Sequence, residues 1–122
     1  MFATIPSVIE FVRAGRLRAL AVTSKARSAA VPEIPTVAES GFPEFEASSW
    51  FGLLGPADLP REIVVKLQTE VVRILTIPEI RNRLTLQGAD PAGSTPEEFA
   101  TYIHAETAKW ATVVKASGAK AE

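Results

Sequence analysis

Apolar residues follow two kinds of spacing along the chain, and each predicts a different kind of element. Near the start, Thr4 is placed to cap a short helix in which Pro6 suits the first turn and Val8, Phe11 and Val12 share a stripe. Gly15 supplies its left-handed stop. The run Leu17–Thr23 is too short for an independent helix and predicts a buried strand. Residues 25 to 43 read as loop, because Pro32, Pro35 and Pro43 remove backbone donors. Inside that loop Thr36 and Glu39 have the spacing of a capping box, which predicts a single helical turn ended by Gly41. Phe45, Ala47 and Ser49 then alternate with Glu46, Ser48 and Trp50. That alternation predicts a second strand over Glu46–Leu54, closed by Gly55-Pro56.

The second half predicts helices. Pro60 opens one that runs to about Leu75, with Ile63, Leu67, Val71 and Leu75 in a row and Val64 and Ile74 widening the stripe. Thr76 is placed to cap the next, with Pro78 near its start, Ile80, Leu84 and Leu86 inward, and Gly88 at its end. An extended piece, Ala89 to Ala92, leads to Thr95-Pro96-Glu97-Glu98, a second capping box with proline at the first helical position. The last helix runs to about Ala116 with Phe99, Ile103, Trp110, Val113 and Val114 on one side, followed by Gly118 and a charged tail. Two strands do not make a stable sheet. The pattern therefore predicts an outside partner for both, either another copy of the chain or sequence beyond it. Met1-Phe2 reads as the end of a strand rather than the start of a domain.

Composition narrows the class. The chain has 122 residues, 47% of them apolar and 22% charged, which excludes a disordered tail and allows one small domain. A chain of this size is expected to bury roughly two-thirds of its unfolded surface. With 13 Lys+Arg against 14 Asp+Glu the net charge is −1, which argues against a nucleic-acid or anionic-membrane surface. Cysteine is absent, so disulfides, thiol chemistry and Cys-ligated zinc are excluded. One histidine, His104, leaves no partner for His-based metal or triad schemes. No run approaches the roughly 18 apolar residues of a membrane helix. No basic segment precedes an apolar one, so no secretion signal is expected within the chain.

Few side chains invite chemistry. His104 lies on the polar side of the last helix and reads as a solvated surface residue. Glu97 and Glu98 sit in a first helical turn, where they complement the helix dipole, and Glu44 and Glu46 read as solvated. Glu106 falls beside the apolar stripe and predicts a salt bridge with a cation. Trp50-Phe51 predicts core packing, with the lining of a ligand cleft as the alternative. The best physical case for binding is the segment Phe2–Ser7. It runs from a strand end into a helix N-terminus, where unpaired N–H groups and the helix dipole suit a carboxylate, and Thr4 and Ser7 add hydroxyls. Plain capping by Thr4 is the competing reading.

The stretch Arg13-Ala14-Gly15-Arg16-Leu17-Arg18-Ala19-Leu20-Ala21-Val22-Thr23 resembles part of the Bug family. So do the block Pro32–Pro43 containing Pro35-Thr36-Val37-Ala38-Glu39-Ser40-Gly41, then Trp50-Phe51-Gly52 and Pro56, and the final helix from Glu106 through Trp110 to Gly118. These are the TctC-like extracytoplasmic solute-binding proteins of tripartite tricarboxylate transporters. The resemblance covers essentially the whole chain but only about the last two-fifths of a family member. It implies an α/β fold, part of a type II periplasmic-binding-protein architecture, with few strands and about four to five helices. Residues 1–45 would be a remnant of the second lobe, 46–55 a crossover strand at the hinge, and 56–122 the helical C-terminal part of the first lobe. Family ligands are small carboxylates, among them di- and tricarboxylates, amino acids and aromatic acids, held without metal, cofactor or catalysis. Residue by residue, the implied ligand contacts are Ala3 and Thr4, through backbone amide or hydroxyl, and Ser7. Trp50 matches an aromatic that packs across the hinge. The implied partners are the solute and the transporter's membrane components, and the implied location is the periplasm. A half-cleft implies weak or no solute binding by the isolated monomer. The other reading is a non-binding interaction module that pairs its orphan strands as a strand-swapped homodimer.

Overall fold

The computed structural model of the chain describes residues 1–119; the charged tail expected after Gly118 lies outside the described residues. The elements are α1 (Ile5–Arg13), α2 (Arg61–Leu75), α3 (Pro78–Leu86) and α4 (Pro96–Ser117). Residues 14 to 60 connect α1 to α2 without a helix.

The helices form where spacing and caps foretell them. Proline stands in the first turn of α1, α3 and α4, where its missing N–H costs nothing. At α4 the expected capping box closes: the Glu98 amide donates to Thr95 Oγ1 (3.1 Å) and the Thr95 amide donates to Glu98 Oε2 (2.8 Å). Thr76 does not cap α3. It ends α2, its hydroxyl donating to the Arg73 carbonyl at 2.7 Å, and Ile77 takes the cap position of α3. Ile80 and Leu84 are half-buried as expected, but Leu86 is exposed.

Neither expected strand is present among the described residues, so the α/β expectation is met only by a single bridge. Val22 and Thr36 pair in parallel. The Val22 amide donates to the Pro35 carbonyl and the Val37 amide to the Val22 carbonyl, both at 2.9 Å. The Ala47 amide closes onto the Thr23 carbonyl at 2.9 Å. Beyond these, the Leu17 amide donates to the Phe11 carbonyl at 3.1 Å, and neither Leu17–Thr23 nor Glu46–Leu54 forms a ladder among the described residues. Pro32, Pro35 and Pro43 cannot donate, so the loop beside them offers no continuous ladder. The Thr36–Glu39 capping box forms in full, with bonds of 2.7 and 3.0 Å, yet it closes a turn and not a helix. Gly41 follows too soon for a second turn.

The core is small. Ile9, Val22 and Val31 are buried, with Ile5, Ala30 and Ile34 packed against them. The buried edge of α1 is thus Ile5 and Ile9, flanked by half-buried Val8 and Val12. Phe11 is exposed, with the Arg16 guanidinium 5.0 Å over its ring. A second cluster holds α4 against the 46–55 segment. Trp50 meets Phe99 and Tyr102 edge-to-face, at centroid distances of 5.5 and 5.6 Å. Gly52 fits there because a Cβ would overlap the Phe99 ring. The chain exposes 9783 Å². The unfolded chain would expose about 19,000 Å², so roughly half is buried and not the expected two-thirds.

Candidate ligand-binding site

Ala3 and Thr4 are extended and Ser7 lies in the first turn of α1; all three are exposed. Thr4 holds the N-cap position, but its side chain accepts no backbone bond. The reason is local. A cap oxygen accepts from the second or third helical N–H. The second helical residue is Pro6, which has none. The third is Ser7, whose amide already donates to the Thr4 carbonyl at 3.0 Å. The two hydroxyls turn to each other instead: Thr4 Oγ1 donates to Ser7 Oγ (3.1 Å), and Ser7 Oγ donates to the Thr4 carbonyl (2.8 Å). The plain-capping reading of Thr4 is therefore overturned.

What remains is a donor set. Among the described residues, the amides of Ala3, Thr4 and Ile5 donate to no backbone carbonyl. The positive end of the α1 dipole adds to them. No acidic side chain occupies the first turn of α1. The arrangement can accept one carboxylate by hydrogen bonds alone; it holds no general base or nucleophile. Among the described residues, no three His, Asp or Glu side chains gather as a metal cage, and no helix is long and apolar enough to cross a membrane.

The sequence did not reveal what stands beside this N-terminus. Ile5 lies against Gly88 at the end of α3, where φ is +80°, with Ala30 nearby. Arg13 at the other end of α1 donates to the Leu86 carbonyl at 3.2 Å. The donor set thus sits where the α1 unit meets the α3–α4 turn. Pro6 signals only that Thr4 finds no amide to cap at the second helical position.

Three carboxylates away from this site have cation partners within the chain. The Lys109 ammonium (3.0 Å) and the Trp110 indole N–H (2.9 Å) both donate to Glu106, and together they hold its carboxyl below the usual range. The expected cation partner is therefore found. Arg27 donates from Nε to both oxygens of Glu39 (3.1 and 3.0 Å), and the Thr36 amide adds a third bond; these lower the Glu39 pKa. Glu97 is lowered by its own backbone amide and by Arg61, 3.0 Å away. His104 is exposed, as expected. Trp50 packs on α4, while Phe51 is 94% exposed, so the aromatic pair is split between packing and solvent.

Comparison with known proteins sets these features in context. The profile described as "Tripartite tricarboxylate transporter family receptor" matches residues 1–119. Protein BugT of Bordetella pertussis is 40% identical over 116 residues, which are 95% of this chain and 36% of that protein. The structure titled "R. palustris Rpa4515 with adipate" superposes with a TM-score of 0.83 at 36% identity, over 93% of this chain and 38% of that one. The periplasmic binding protein BugD superposes with a TM-score of 0.81 at 28% identity, over 94% of this chain and 39% of that one. The chain thus spans somewhat more than a third of the length of these relatives, and its structural neighbours are periplasmic binding proteins.

Proposed function

We propose a function from one premise: the chain belongs to the tripartite tricarboxylate transporter receptor family, with Bug proteins among its relatives. Its role is to supply part of the solute grip of such a receptor. The solute is a small carboxylate, of the class represented by the adipate named with the Rhodopseudomonas palustris relative. Ala3 and Thr4 offer amides, and Ser7, with Thr4, a hydroxyl. The whole receptor captures the solute in the periplasm and hands it to the transporter's membrane components; it transforms nothing.

The observation that carries this reading is a set of free amides. Among the described residues those of Ala3, Thr4 and Ile5 donate to no backbone carbonyl, and they stand at the positive end of α1, whose first turn holds no acidic side chain. The two-lobe division of the chain, 1–45, 46–55 and 56–122, belongs to the same proposal. Its support is that one cluster forms around Ile9, Val22 and Val31 and another around Trp50, Phe99 and Tyr102. The Ile5–Gly88 contact then lies where the lobes meet, which puts the free amides at the mouth of the cleft.

The test is titration of the ¹⁵N-labelled chain with adipate, and with neutral 1,6-hexanediol as control. Adipate should shift the amide signals of Ala3, Thr4, Ile5 and Ser7 with weak, millimolar-range affinity, because half a cleft supplies part of the bonds. The reading fails if those amides stay still, or if the diol moves them equally. Micromolar binding by the monomer would also refute the half-cleft picture.

A further inference from the structure

One row of side chains holds α1 in place. Ile5, Ile9 and Arg13 stand four positions apart, so they share a face of the helix. Ile9, in the middle of the row, is buried with Val22 and Val31. The two ends of the row reach the end of α3: Ile5 lies against Gly88, and Arg13 Nη2 donates to the Leu86 carbonyl at 3.2 Å.

The Leu86 carbonyl is open to such a donor. It is the last of α3, and among the described residues no backbone amide donates to it, whereas the carbonyls of Arg83, Leu84 and Thr85 accept from residues 87–89. A cation there also meets the negative end of the α3 dipole. Arg13 arrives already aimed, because its Nη1 donates to Glu10 Oε1 at 3.0 Å while Nη2 makes the Leu86 bond. The exposed ion pair with Glu10 contributes little by itself. Two nitrogens of one planar fork engaged together fix the direction of the side chain.

A helix pinned only at its middle can pivot. Four residues of 1.5 Å rise put Ile5 and Arg13 roughly 6 Å to either side of Ile9. A swing of about 10° around Ile9 moves the N-terminal amides by roughly 1 Å, which takes an N–H···O bond of about 2.9 Å out of range. The Ile5 contact is apolar and non-directional, so resistance to a sideways swing falls to the directional bond of Arg13.

We infer that Arg13 is a positioning residue for the carboxylate site. From the far end of α1 it sets where the amides of Ala3, Thr4 and Ile5 stand, by tying the helix to the last carbonyl of α3. This rests on the reading of those amides as the solute grip, and it adds to that grip a residue that touches no solute.

The experiment compares four isotope-labelled chains by nuclear magnetic resonance, without and with adipate. They are the parent, Arg13→Met, which keeps the stem and loses the donors, Arg13→Lys, and Arg18→Met, which removes the same charge from an exposed residue outside α1. Without adipate, Arg13→Met should weaken the Overhauser effect between the Ile5 γ2 methyl and the Gly88 α protons. It should also shift the amides of Ala3, Thr4 and Ile5, while the urea midpoint changes little because Arg13 is exposed. With adipate, its affinity should fall roughly three- to ten-fold, about the worth of one hydrogen bond. Arg13→Lys should recover part of the loss, and Arg18→Met should show neither effect. The inference is overturned if Arg13→Met leaves the three amides and the Overhauser effect as they are in the parent. It is equally overturned if Arg18→Met reproduces the loss of affinity, which would make overall charge the cause, or if affinity falls only in step with the urea midpoint. A parent chain that ignores adipate would refute the solute reading, and the solute-free comparison would still decide whether Arg13 sets the amides.

Discussion

Gly88 lies with its Cα against the side chain of Ile5, so close that a Cβ at position 88 would stand 2.7 Å from Ile5 Cβ. Two constraints meet there. The residue must adopt φ +80°, and it must carry no side chain. Gly88→Ala should cost about 1–2 kcal/mol from the left-handed backbone alone, plus the displacement of Ile5. Because Ile5 is the first residue of α1, the change should also move the amides of Ala3 and Thr4. Urea unfolding and amide shifts of the chain check both effects; a Gly88→Ala variant as stable as its parent would contradict the close approach.

Tyr102 is the single tyrosine, so its ionisation can be followed by tyrosinate absorbance without interference. Burial, and then the Glu106 charge, raise its pKa above the ordinary 10.0. A raised folded value means that the neutral phenol stabilises the fold below the unfolded pKa, and that this contribution is lost as pH rises through the folded one. Trp50→Ala opens the edge-to-face contact and should return the Tyr102 midpoint toward 10.0. The same variant should cost about 2 kcal/mol, at the low end for a tryptophan because Trp50 is part-exposed. An unchanged phenol titration would show that Trp50 does not shield Tyr102.

Glu39 and Glu106 titrate in the opposite sense. Their folded pKa values lie below the ordinary 4.5, held there first by Arg27 and by Lys109 respectively. The stabilisation is complete above the unfolded value and disappears as pH falls through the folded one. Glu39→Gln should therefore lower the melting temperature at neutral pH, and the deficit should vanish on acidification below the carboxylate range. A deficit that persists in acid would mean that packing around Thr36, and not charge, is what the substitution disturbs.

Thr95→Ala removes one arm of the α4 capping box and should cost about 1 kcal/mol. Thr95→Ser keeps the oxygen and should cost less. Circular dichroism melts of the chain and its two variants rank them, and equal losses for Ala and Ser would show that the hydroxyl bond to the Glu98 amide contributes nothing.

Ser7→Ala tests the solute site. It removes the hydroxyl without touching the amides of Ala3, Thr4 and Ile5, so the chain's affinity for adipate should fall several-fold and not vanish. Calorimetric titration measures it; unchanged affinity would remove Ser7 from the site.

The helices were legible because their signals are local: Pro6, Pro78 and Pro96 in first turns, Thr95 with Glu98, and glycine after each of the shorter helices. The strands were misread for a physical reason. Alternation over Glu46–Leu54 describes a segment suited to pairing, but a ladder needs a neighbour, and among the described residues the one bridge is that of Val22 with Thr36. The α2 stripe was read as Ile63, Leu67, Val71 and Leu75, widened by Val64 and Ile74. Of these Val64 and Leu75 are half-buried, as is Val72, which the reading left out, whereas Ile63, Leu67, Val71 and Ile74 are exposed. For the proposed site, Ala3 and Thr4 stand out by their place before a helix and Ser7 by its place in the first turn; all three are exposed. The Gly88–Ile5 contact was not, because 83 positions separate the two and nothing local announces it.

The bonds of Val22 and Thr23 to Pro35, Val37 and Ala47 bring the chain back, after a detour from 24 to 46, to the point it left. The course of the backbone before and after that detour does not depend on its length. Lengthening or shortening its outer turns leaves the ends pinned at one spot, and the entropic cost of extra residues grows only with the logarithm of their number. Within the detour Val31 and Thr36 are buried, so the place where sequence can drift, or a foreign peptide be grafted, with the least disturbance to the helices is its exposed outer turn, residues 40–46.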